Sequence, residues 1–433
     1  MTIAYLGYNL LSTVLFILFW PLFAAIALLT GRWPGGLKQR LGLYPRQLTA
    51  GLSGSCRVWI HAASVGEVRV AAAVIEPLTA MIPGCDVIVS TMTATGHKIA
   101  RDLLGSKAVC IYAPLDLYLP VRKAFLALKP DLLVCLETEI WPNLLTVARH
   151  CGVKTALING RISDRSIGRY LLIRPLIRPI LAGIDAFSMI RKLDGRRVLQ
   201  IGARPERVVV NGNAKFDLLL RQADAGIQTR MAAVFDVSAG QPVFVAGSTR
   251  RPEEAILLDV YEKIRRACPE TVLVIAPRHV DRAGRIALLV KERKLACQLK
   301  SDLDRTGARR TAPVVVIDTM GELQDVYSIA TVVFCGGSLA RKGGQNVLEA
   351  AVWGKPVLYG PSMEDFRDAQ ALLDRTGGGI QIENGTGLEK AVGDLLADPK
   401  RAERIGRQAR AAVLANTGAA HKHATVIRGL LAP

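Results

Sequence analysis

Short, continuous runs of apolar and β-branched residues recur along the chain and alternate with longer segments of helical periodicity. The clearest of these runs predict strands over the following residues: Arg57–His61, Asp86–Ser90, Leu132–Leu136, Lys154–Ile158, Val243–Ala246, Val272–Ala276, Val314–Ile317 and Thr331–Cys335. Continuous apolar strands separated by helix-length segments are typical of parallel sheets that helices cover on both faces. The pattern therefore predicts an α/β fold.

The predicted strands fall into two groups, one on each side of a polar stretch near Asn211–Thr229. We interpret them as two Rossmann-like domains with a cleft between them, over residues 32–212 and 213–433. A last helical stretch, about Lys400–Leu431, is rich in Arg and Ala and is expected to pack back across the domains. Because ligands bind at the carboxyl ends of the strands in open parallel sheets, the loops after the strands are the candidate sites.

The N-terminal segment, residues 1–31, departs from this pattern because it is apolar throughout and has no charged side chain. It exceeds the roughly 20 residues that a helix needs to cross a bilayer. Basic residues follow with no acidic residue among them: Arg32, Lys38, Arg40, Arg46 and Arg57. We predict a membrane anchor with the body in the cytoplasm and with Tyr5, Tyr8 and Trp33 as interfacial anchors. A helix lying in one leaflet and a buried core helix are the alternatives.

Composition narrows the class of partner. The 433 residues carry a formal net charge of +19, which favours anionic partners such as lipid headgroups or nucleic acid. The eight cysteines include no CxxC pair, so zinc ribbons and thioredoxin-like motifs are excluded. We interpret Asp302-Leu-Asp304 as a surface loop and predict neither a metal nor a cofactor. Basic residues do not interleave with aromatic ones as they do in RNA-binding proteins, which disfavours nucleic acid.

Loops after the strands of the first half carry candidate residues for an acceptor or a transition state. Ser64 and Gly66 suit a tight turn, and Glu67 at the following helix start either complements the helix dipole or acts as a general base. Thr95 lies in a hydroxyl-rich loop that weakly resembles an anion site. The remaining candidates follow the next two strands along the chain: Glu137, Glu139, Asn159 and Arg161.

Arginines recur among Leu, Ile and Tyr after this region, at Arg165, Arg169, Arg174 and Arg178. A surface of this composition can meet lipid phosphates, and a solvated basic helix face is the equal alternative.

The second half of the chain offers loops suited to a nucleotide. Ser248 follows one strand, and Arg278 with His279 follows another, where they could hold a phosphate. The strongest signal is Gly336-Gly337-Ser338 followed by Gly343-Gly344-Gln345-Asn346 and Glu349. Glycine pairs let the backbone approach a ligand, and a carboxylate at this place can bind ribose hydroxyls.

Together these motifs resemble the Kdo (3-deoxy-D-manno-oct-2-ulosonic acid) transferases of Gram-negative lipopolysaccharide synthesis. The matching segments run in order along almost the whole chain: the anchor, HAASVGE, STMTATG, ETEIWPN, NGRIS, GNAKFD, GST, PRH, and GGS with GGQNVLEA. The resemblance implies a GT-B fold, CMP-Kdo as donor, a lipid A precursor as acceptor and Glu67 as catalytic base. It also implies donor-site roles for several residues: Lys215, Ser248, Arg278, Gly337, Ser338, Asn346 and Glu349. Many members have His in place of Gln345 and Pro in place of Val347.

We therefore predict an inverting glycosyltransferase on the cytoplasmic face of the inner membrane, with CMP-Kdo, a lipid A precursor and the lipid surface as partners. The first alternative is another GT-B enzyme that uses a UDP-sugar on a lipid acceptor. The second is a membrane-tethered, non-catalytic binder of nucleic acid, which the basic composition allows and the motifs disfavour.

Overall fold

The computed structural model describes residues 2–30, 35–221, 223–306 and 309–432, which form two compact units. Unit 1 comprises the chain up to Leu218 together with the segment from Thr417, and unit 2 comprises Leu219–Asn416. The division lies a few residues beyond the predicted boundary, and the C-terminal segment joins unit 1. Arg32, Trp33 and the side chain of Arg165, which figured in the membrane predictions, lie outside the described part.

Unit 1 is built on a sheet that has seven strands in the described part of the chain. These strands are β1 (Cys56–His61), β2 (Cys85–Thr91), β3 (Val109–Tyr112), β4 (Leu132–Leu136), β5 (Lys154–Gly160), β6 (Ala186–Met189) and β7 (Val208–Val210). They pair in parallel in the order β3-β2-β1-β4-β5-β6-β7. The strand order reverses between β1 and β4, and ligands of open parallel sheets bind beside such a switch point.

Unit 2 repeats this architecture, again with seven strands among the residues described. They are β8 (Val243–Thr249), β9 (Val272–Pro277), β10 (Cys297–Leu299), β11 (Val314–Val316), β12 (Val332–Cys335), β13 (Val357–Tyr359) and β14 (Gly379–Gln381). The parallel order is β10-β11-β9-β8-β12-β13-β14, which puts the switch point between β8 and β12.

Helices connect the strands in both units. The first eleven are α1 (Ile3–Thr30), α2 (Leu37–Arg40), α3 (Arg46–Ala50), α4 (Val65–Met81), α5 (Ala94–Leu104), α6 (Tyr118–Leu128), α7 (Pro142–His150), α8 (Asp164–Leu172), α9 (Arg174–Leu181), α10 (Lys192–Ile201) and α11 (Lys215–Arg221). The others are α12 (Ala225–Val234), α13 (Glu253–Ala267), α14 (Ala283–Glu292), α15 (Lys300–Thr306), α16 (Leu323–Val326), α17 (Leu348–Ala351), α18 (Arg367–Thr376), α19 (Gly385–Ala397), α20 (Pro399–Leu414) and α21 (Ala419–Leu431).

Apolar side chains bury both faces of the central strands, as their continuous apolar sequences require. Every residue of β4 is buried. On one face of the unit 1 sheet Trp59 packs against Phe125, with ring centroids 5.1 Å apart, and on the other face Ile60 shares a core with Ile427 of α21. The layered arrangement confirms the two predicted Rossmann-like domains.

The C-terminal helical stretch consists of two helices, α20 and α21, because Gly418 takes a φ of 88° between them. Helix α21 packs on α4 of unit 1. Its buried His423 has Nδ1 2.7 Å from the Ser188 hydroxyl and Nε2 3.1 Å from the carbonyl oxygen of Gly212. These bonds fix the end of the chain to the region of β6.

Every strand predicted from the apolar runs is present in the structure. The structure has further strands beyond these clearest runs, β3, β6, β7, β10, β13 and β14, which have only three or four residues each. Four of them (β3, β7, β10 and β14) are edge strands in the sheets described. These edge strands are largely half-buried or exposed, so fewer of their positions need apolar side chains and their sequence signal is weaker.

Helix α1 confirms the predicted long apolar helix, and Ile3–Leu22 is long and apolar enough to cross a membrane. Tyr5 and Tyr8, which the sequence suggests as interfacial anchors, bond to side chains of unit 1, and their role at the membrane stays a prediction. The Tyr5 hydroxyl donates a hydrogen bond to Asn143 Oδ1 at 2.6 Å, and the Tyr8 hydroxyl donates one to Asp116 Oδ2 at 2.8 Å. These side chains dock the start of α1 on unit 1.

Candidate active site

The predicted acceptor residues of unit 1 lie at the ends of four adjacent strands, β2, β1, β4 and β5, or in the turns and helix starts that follow them. Because these strands are parallel, their carboxyl ends lie at one edge of the sheet. Ser64, Gly66, Thr95 and Arg161 are exposed at this edge. The topology therefore brings the candidate acceptor residues to one edge of unit 1.

Glu67 lies where β1 passes into α4, and its carboxylate accepts hydrogen bonds from the two residues that precede the helix. One carboxylate oxygen accepts the backbone N–H of Ala63 at 2.8 Å, and the other accepts the Ser64 hydroxyl at 2.8 Å. Ser64 is the N-cap of α4, and its oxygen accepts the N–H of Glu67 at 3.4 Å. The Ser-x-x-Glu spacing favours this reciprocal arrangement, which holds the carboxylate in one orientation at the helix start.

The surroundings of Glu67 change its acidity. Burial raises the pKa of the Glu67 carboxyl to about 7, with a further rise from the negative charge of Glu139 and a smaller one from Glu137. The hydrogen bonds from Ser64 and Ala63 act in the opposite direction. A carboxylate whose pKa lies near neutrality is suited to take a proton from an alcohol at physiological pH.

Two more carboxylates come from the loop after β4. Glu137 takes the left-handed conformation, with a φ of 51°, which is rare for a residue other than glycine. Its carboxylate pairs with the Lys215 ammonium at 2.6 Å. Glu139 Oε2 accepts the indole N–H of Trp141 at 2.5 Å. Strained backbone of this kind concentrates at functional sites.

Lys215, assigned by resemblance to the donor, lies in unit 1 in this structure. Asn159 takes a φ of 55°, is buried, and accepts the Ala214 N–H on its side-chain oxygen at 2.9 Å. The residue next to Lys215 is thereby tied to the end of β5. The sequence predicted both Asn159 and Lys215 as site residues but not this connection between them.

His61 is a buried residue beside the carboxylates that sequence reasoning left out of the site. Ser90 Oγ accepts the Trp59 indole N–H at 2.8 Å and lies 2.9 Å from His61 Nδ1. Burial lowers the pKa of His61 to about 4, so the ring is neutral at pH 7. Its Nε2 lies 3.8 Å from Glu139 Oε2. The sequence signal that could have identified His61 is its position as the first residue of the HAASVGE motif.

In unit 2, the predicted donor residues lie at the end of β8 or after the adjacent strands β9 and β12. Ser248 takes the left-handed conformation with a φ of 56°. A Cβ at Gly336 would lie 2.6 Å from the Ser248 carbonyl oxygen, so only glycine allows this close approach. Arg278 and His279 are both exposed at the same edge.

The loop after β12 is held by a carboxylate that the sequence did not single out. Glu253, at the start of α13, has no solvent exposure. Its oxygens accept the N–H groups of Gly337 at 2.8 Å, Leu339 at 2.9 Å and Ala340 at 3.1 Å, and also that of Arg250 at 2.9 Å. The Gly337 amide, predicted to face the donor, is therefore paired with Glu253. In the sequence, the only indication of this role is the pair Glu253-Glu254 that follows the GST motif.

The hydroxyl of Ser338 is also paired within the loop. Ser338 is fully buried, donates to the Cys335 carbonyl oxygen at 2.5 Å and accepts the Gly360 N–H at 2.9 Å. Asn346 and Glu349 lie side by side as their spacing predicts, with the Asn346 amide donating to Glu349 Oε1 at 3.2 Å. Donor contacts for these residues stay predictions.

Among the residues described, no three His, Cys, Asp or Glu side chains are grouped so that they could hold a metal ion.

Comparisons with known proteins extend this description. A family model for 3-deoxy-D-manno-octulosonic-acid transferase (kdotransferase) matches residues 35–218. A 3-deoxy-D-manno-octulosonic acid transferase of Bordetella pertussis is 31% identical over 404 residues, which cover 90% of this chain and 91% of the relative. A bifunctional glycosyltransferase/methyltransferase of Fusobacterium nucleatum is 33% identical over 350 residues, 80% of this chain but only 54% of that protein.

A solved glycosyltransferase from Rickettsia africae ESF-5 has a similar fold, with a TM-score of 0.57, 14% identity, and 87% of this chain and 99% of that chain covered. This similarity and the two parallel sheets confirm the predicted GT-B class. The similarity over nearly the full length of the Bordetella relative is decisive for the family. The chain belongs to the 3-deoxy-D-manno-octulosonic acid transferase family.

Proposed function

We propose that the protein transfers Kdo from CMP-Kdo to a lipid A precursor with inversion at the anomeric carbon. The observation that carries this proposal is the Glu67 carboxylate, held in a fixed orientation beside the switch point of unit 1 with a pKa near 7. A hydroxyl of the acceptor sugar attacks the anomeric carbon of Kdo, and the bond to the CMP phosphate breaks. Glu67 takes the hydroxyl proton, and CMP leaves with the bonding electrons.

Unit 2 binds the nucleotide sugar in this proposal. Arg278 and His279 are exposed cations or donors at the carboxyl edge of β9, where they stabilise the charge that develops on the departing phosphate. Asn346 and Glu349 form a polar pair suited to hydroxyl groups of the donor. Ser248 and the Gly337–Ser338 loop shape the backbone against which the donor lies.

Unit 1 binds the acceptor sugar. Glu139 and Glu137 lie near enough to Glu67 to raise its pKa, and Lys215 balances the charge of Glu137. Asn159 fixes the loop that carries Lys215. Ser64, Gly66, Thr95 and Arg161 belong to the same edge and are proposed to line the acceptor region.

Helix α1 attaches the protein to the inner membrane, with the catalytic body on the cytoplasmic face. Large apolar side chains along the helix are exposed, for example Leu10 at 69% and Leu18 at 66%. Side chains of this kind are stable in lipid rather than in water. The basic residues that follow α1 in sequence favour the cytoplasmic side.

Nucleotide-dependent thermal unfolding tests the choice of donor. A ligand that binds only the folded protein raises its unfolding temperature, so we expect stabilisation by CMP and not by UDP at equal concentration. Stabilisation by UDP alone would replace this proposal with transfer from a UDP-sugar. The Arg278→Ala variant tests the binding site itself. We expect CMP to raise its unfolding temperature by less than that of the unchanged chain, and the two unfolding temperatures to be equal without nucleotide.

A further inference from the structure

The start of α1 is fixed to the body of unit 1. Tyr5 is only 4% exposed, although it lies near the beginning of an otherwise exposed apolar helix. Its hydroxyl bonds to Asn143, and three residues later the Tyr8 hydroxyl bonds to Asp116. Helix α1 also packs against α9. The N-terminal end of α1 therefore lies on the same side of any membrane as unit 1.

The chain rejoins unit 1 soon after α1 ends. The backbone at Gly36 lies against the Tyr112 ring so closely that a Cβ there would come within 2.0 Å of it. The Arg40 guanidinium donates to the Met92 carbonyl oxygen at 2.6 Å and lies 4.9 Å from the centre of the Tyr112 ring. These contacts tie the segment after α1 to the ends of β2 and β3.

The covalent chain limits how far the end of α1 can lie from this attachment. Thr30 ends the helix, and Gly36 is six residues later. Consecutive Cα atoms are about 3.8 Å apart, so these six steps span at most about 23 Å in any conformation. The hydrocarbon core of a bilayer is about 30 Å thick. The C-terminal end of α1 therefore cannot reach the far side of a bilayer while Gly36 and Arg40 keep their contacts.

We propose that α1 does not cross the membrane but lies within the cytoplasmic leaflet, with both of its ends on the side of unit 1. This inference rests on the membrane attachment proposed above and changes its geometry. The helix has 28 residues and is about 42 Å long at 1.5 Å per residue. Laid along one leaflet, it anchors the body at both of its ends.

The exposure pattern of α1 identifies the acyl region of the leaflet as its environment. Less exposed positions recur on one side of the helix at Tyr5, Asn9, Ser12, Phe16 and Trp20. The other sides carry exposed Leu, Ile, Val and Phe, and the sequence of the helix contains no charged residue. Interfacial helices usually carry a charged face that keeps them among the headgroups. Helix α1 has no such face and is expected to lie deeper.

A second exposed apolar group lies where α8 meets α9, the helix against which α1 packs. Leu171, Leu172 and Ile173 are 44%, 82% and 43% exposed. The exposed cations Arg174 and Arg178 are on α9. The junction of α8 and α9 therefore combines apolar side chains suited to the acyl region with arginines that can bind lipid phosphates. It extends the membrane face of unit 1 beyond α1.

Epitope accessibility in spheroplasts tests the orientation of the helix. One variant of the full chain carries an epitope before residue 2, and another carries the same epitope after residue 433. We expect both epitopes to resist protease in intact spheroplasts and to be digested after the membrane is permeabilised. An N-terminal epitope digested in intact spheroplasts, with the C-terminal one protected, would show a membrane-spanning helix and overturn the inference. Digestion of the C-terminal epitope in intact spheroplasts would instead overturn the cytoplasmic orientation in the proposed function.

A charge placed on the exposed side of α1 tests the lipid contact independently. We expect Leu18→Arg to reduce binding to vesicles of phosphatidylethanolamine and phosphatidylglycerol at least tenfold. Leu288→Arg is the matched control, because Leu288 is 52% exposed on α14 of unit 2, and its binding should equal that of the unchanged chain. Equal binding of the Leu18→Arg variant and the unchanged chain would contradict burial of α1 in the leaflet.

Discussion

At the residue scale, Glu67 combines a structural and a chemical role. Its carboxylate caps α4 through Ala63 and Ser64, and its pKa near 7 makes it a base at physiological pH. The sequence alone allowed two interpretations of Glu67, a structural role at the helix start and a general base, because Ser-x-x-Glu before a helix is a capping signature. The cap does not exclude catalysis, because each carboxylate oxygen keeps a further lone pair for a proton.

The Glu67→Gln variant separates the two roles. Glutamine also serves at the third helical position of a capping box, so we expect the fold and the affinity for CMP-Kdo to persist. Turnover should fall by about 100- to 10,000-fold because the amide cannot accept the hydroxyl proton. Steady-state kinetics and calorimetric binding measure the two effects. The control is Glu76→Gln, an exposed position on the same helix, and near-normal turnover of Glu67→Gln would refute the base assignment.

The pH dependence of catalysis follows from the raised pKa of Glu67. The base must be ionised, so kcat/KM should rise as pH increases through about 7. The negative charge of Glu139 contributes to this high pKa. We therefore expect Glu139→Gln to move the acid limb of the pH–rate profile to lower pH. A limb that stays in place or moves to higher pH would contradict the electrostatic coupling.

At the scale of elements, buried side chains of one helix fix loops that belong to another part of the sheet. Glu253 of α13 holds the loop after β12 through Gly337, Leu339 and Ala340. His423 of α21 holds the C-terminal helix near β6. Neither connection could be predicted from the sequence, because each joins residues far apart in the chain and depends on how the layers pack.

Replacing Glu253 tests whether the loop after β12 serves the donor. The amide nitrogen of Glu253→Gln would face backbone N–H groups, so at least one of them loses its acceptor, at a cost of about 1–3 kcal/mol in unfolding free energy. We expect the KM for CMP-Kdo to rise about tenfold, with a smaller change in kcat. Glu262→Gln, on the solvent side of α13, is the matched control. A loss of stability with an unchanged KM would show a structural role alone.

His423 makes the attachment of α21 sensitive to acid. Burial lowers the pKa of His423 to about 4, whereas an unfolded histidine titrates near 6.5. Between these values the unfolded chain binds the proton and the folded chain does not, so stability falls as pH decreases from 6.5 to 4. Denaturant unfolding at pH 7 and pH 5 measures the loss. We expect the His423→Asn variant to have a lower free energy of unfolding than the unchanged chain at pH 7. We also expect this free energy to fall less between pH 7 and pH 5 in the variant. An equal or greater fall in the variant would contradict this account.

At the scale of the whole molecule, the order of apolar runs was sufficient to predict two parallel α/β domains, and the motifs were sufficient to predict the family. The edge strands β7, β10 and β14 and the division at Gly418 were not predicted, because short edge strands and single glycines leave weak local signals. Lys215 pairs with Glu137 in unit 1, a connection that the sequence could not show because the two residues lie far apart in the chain, and its donor-site role stays a prediction.

The function rests on the identity of the transferred sugar, which one measurement addresses directly. The protein is incubated with CMP-Kdo and a tetra-acylated lipid A precursor, and the lipid products are analysed by mass spectrometry. We predict that the precursor gains the mass of one or more Kdo residues and that the Glu67→Gln variant leaves it unchanged. A precursor that remains unmodified by the unchanged chain, or that gains a sugar only when a UDP-sugar replaces CMP-Kdo, would contradict the proposed function.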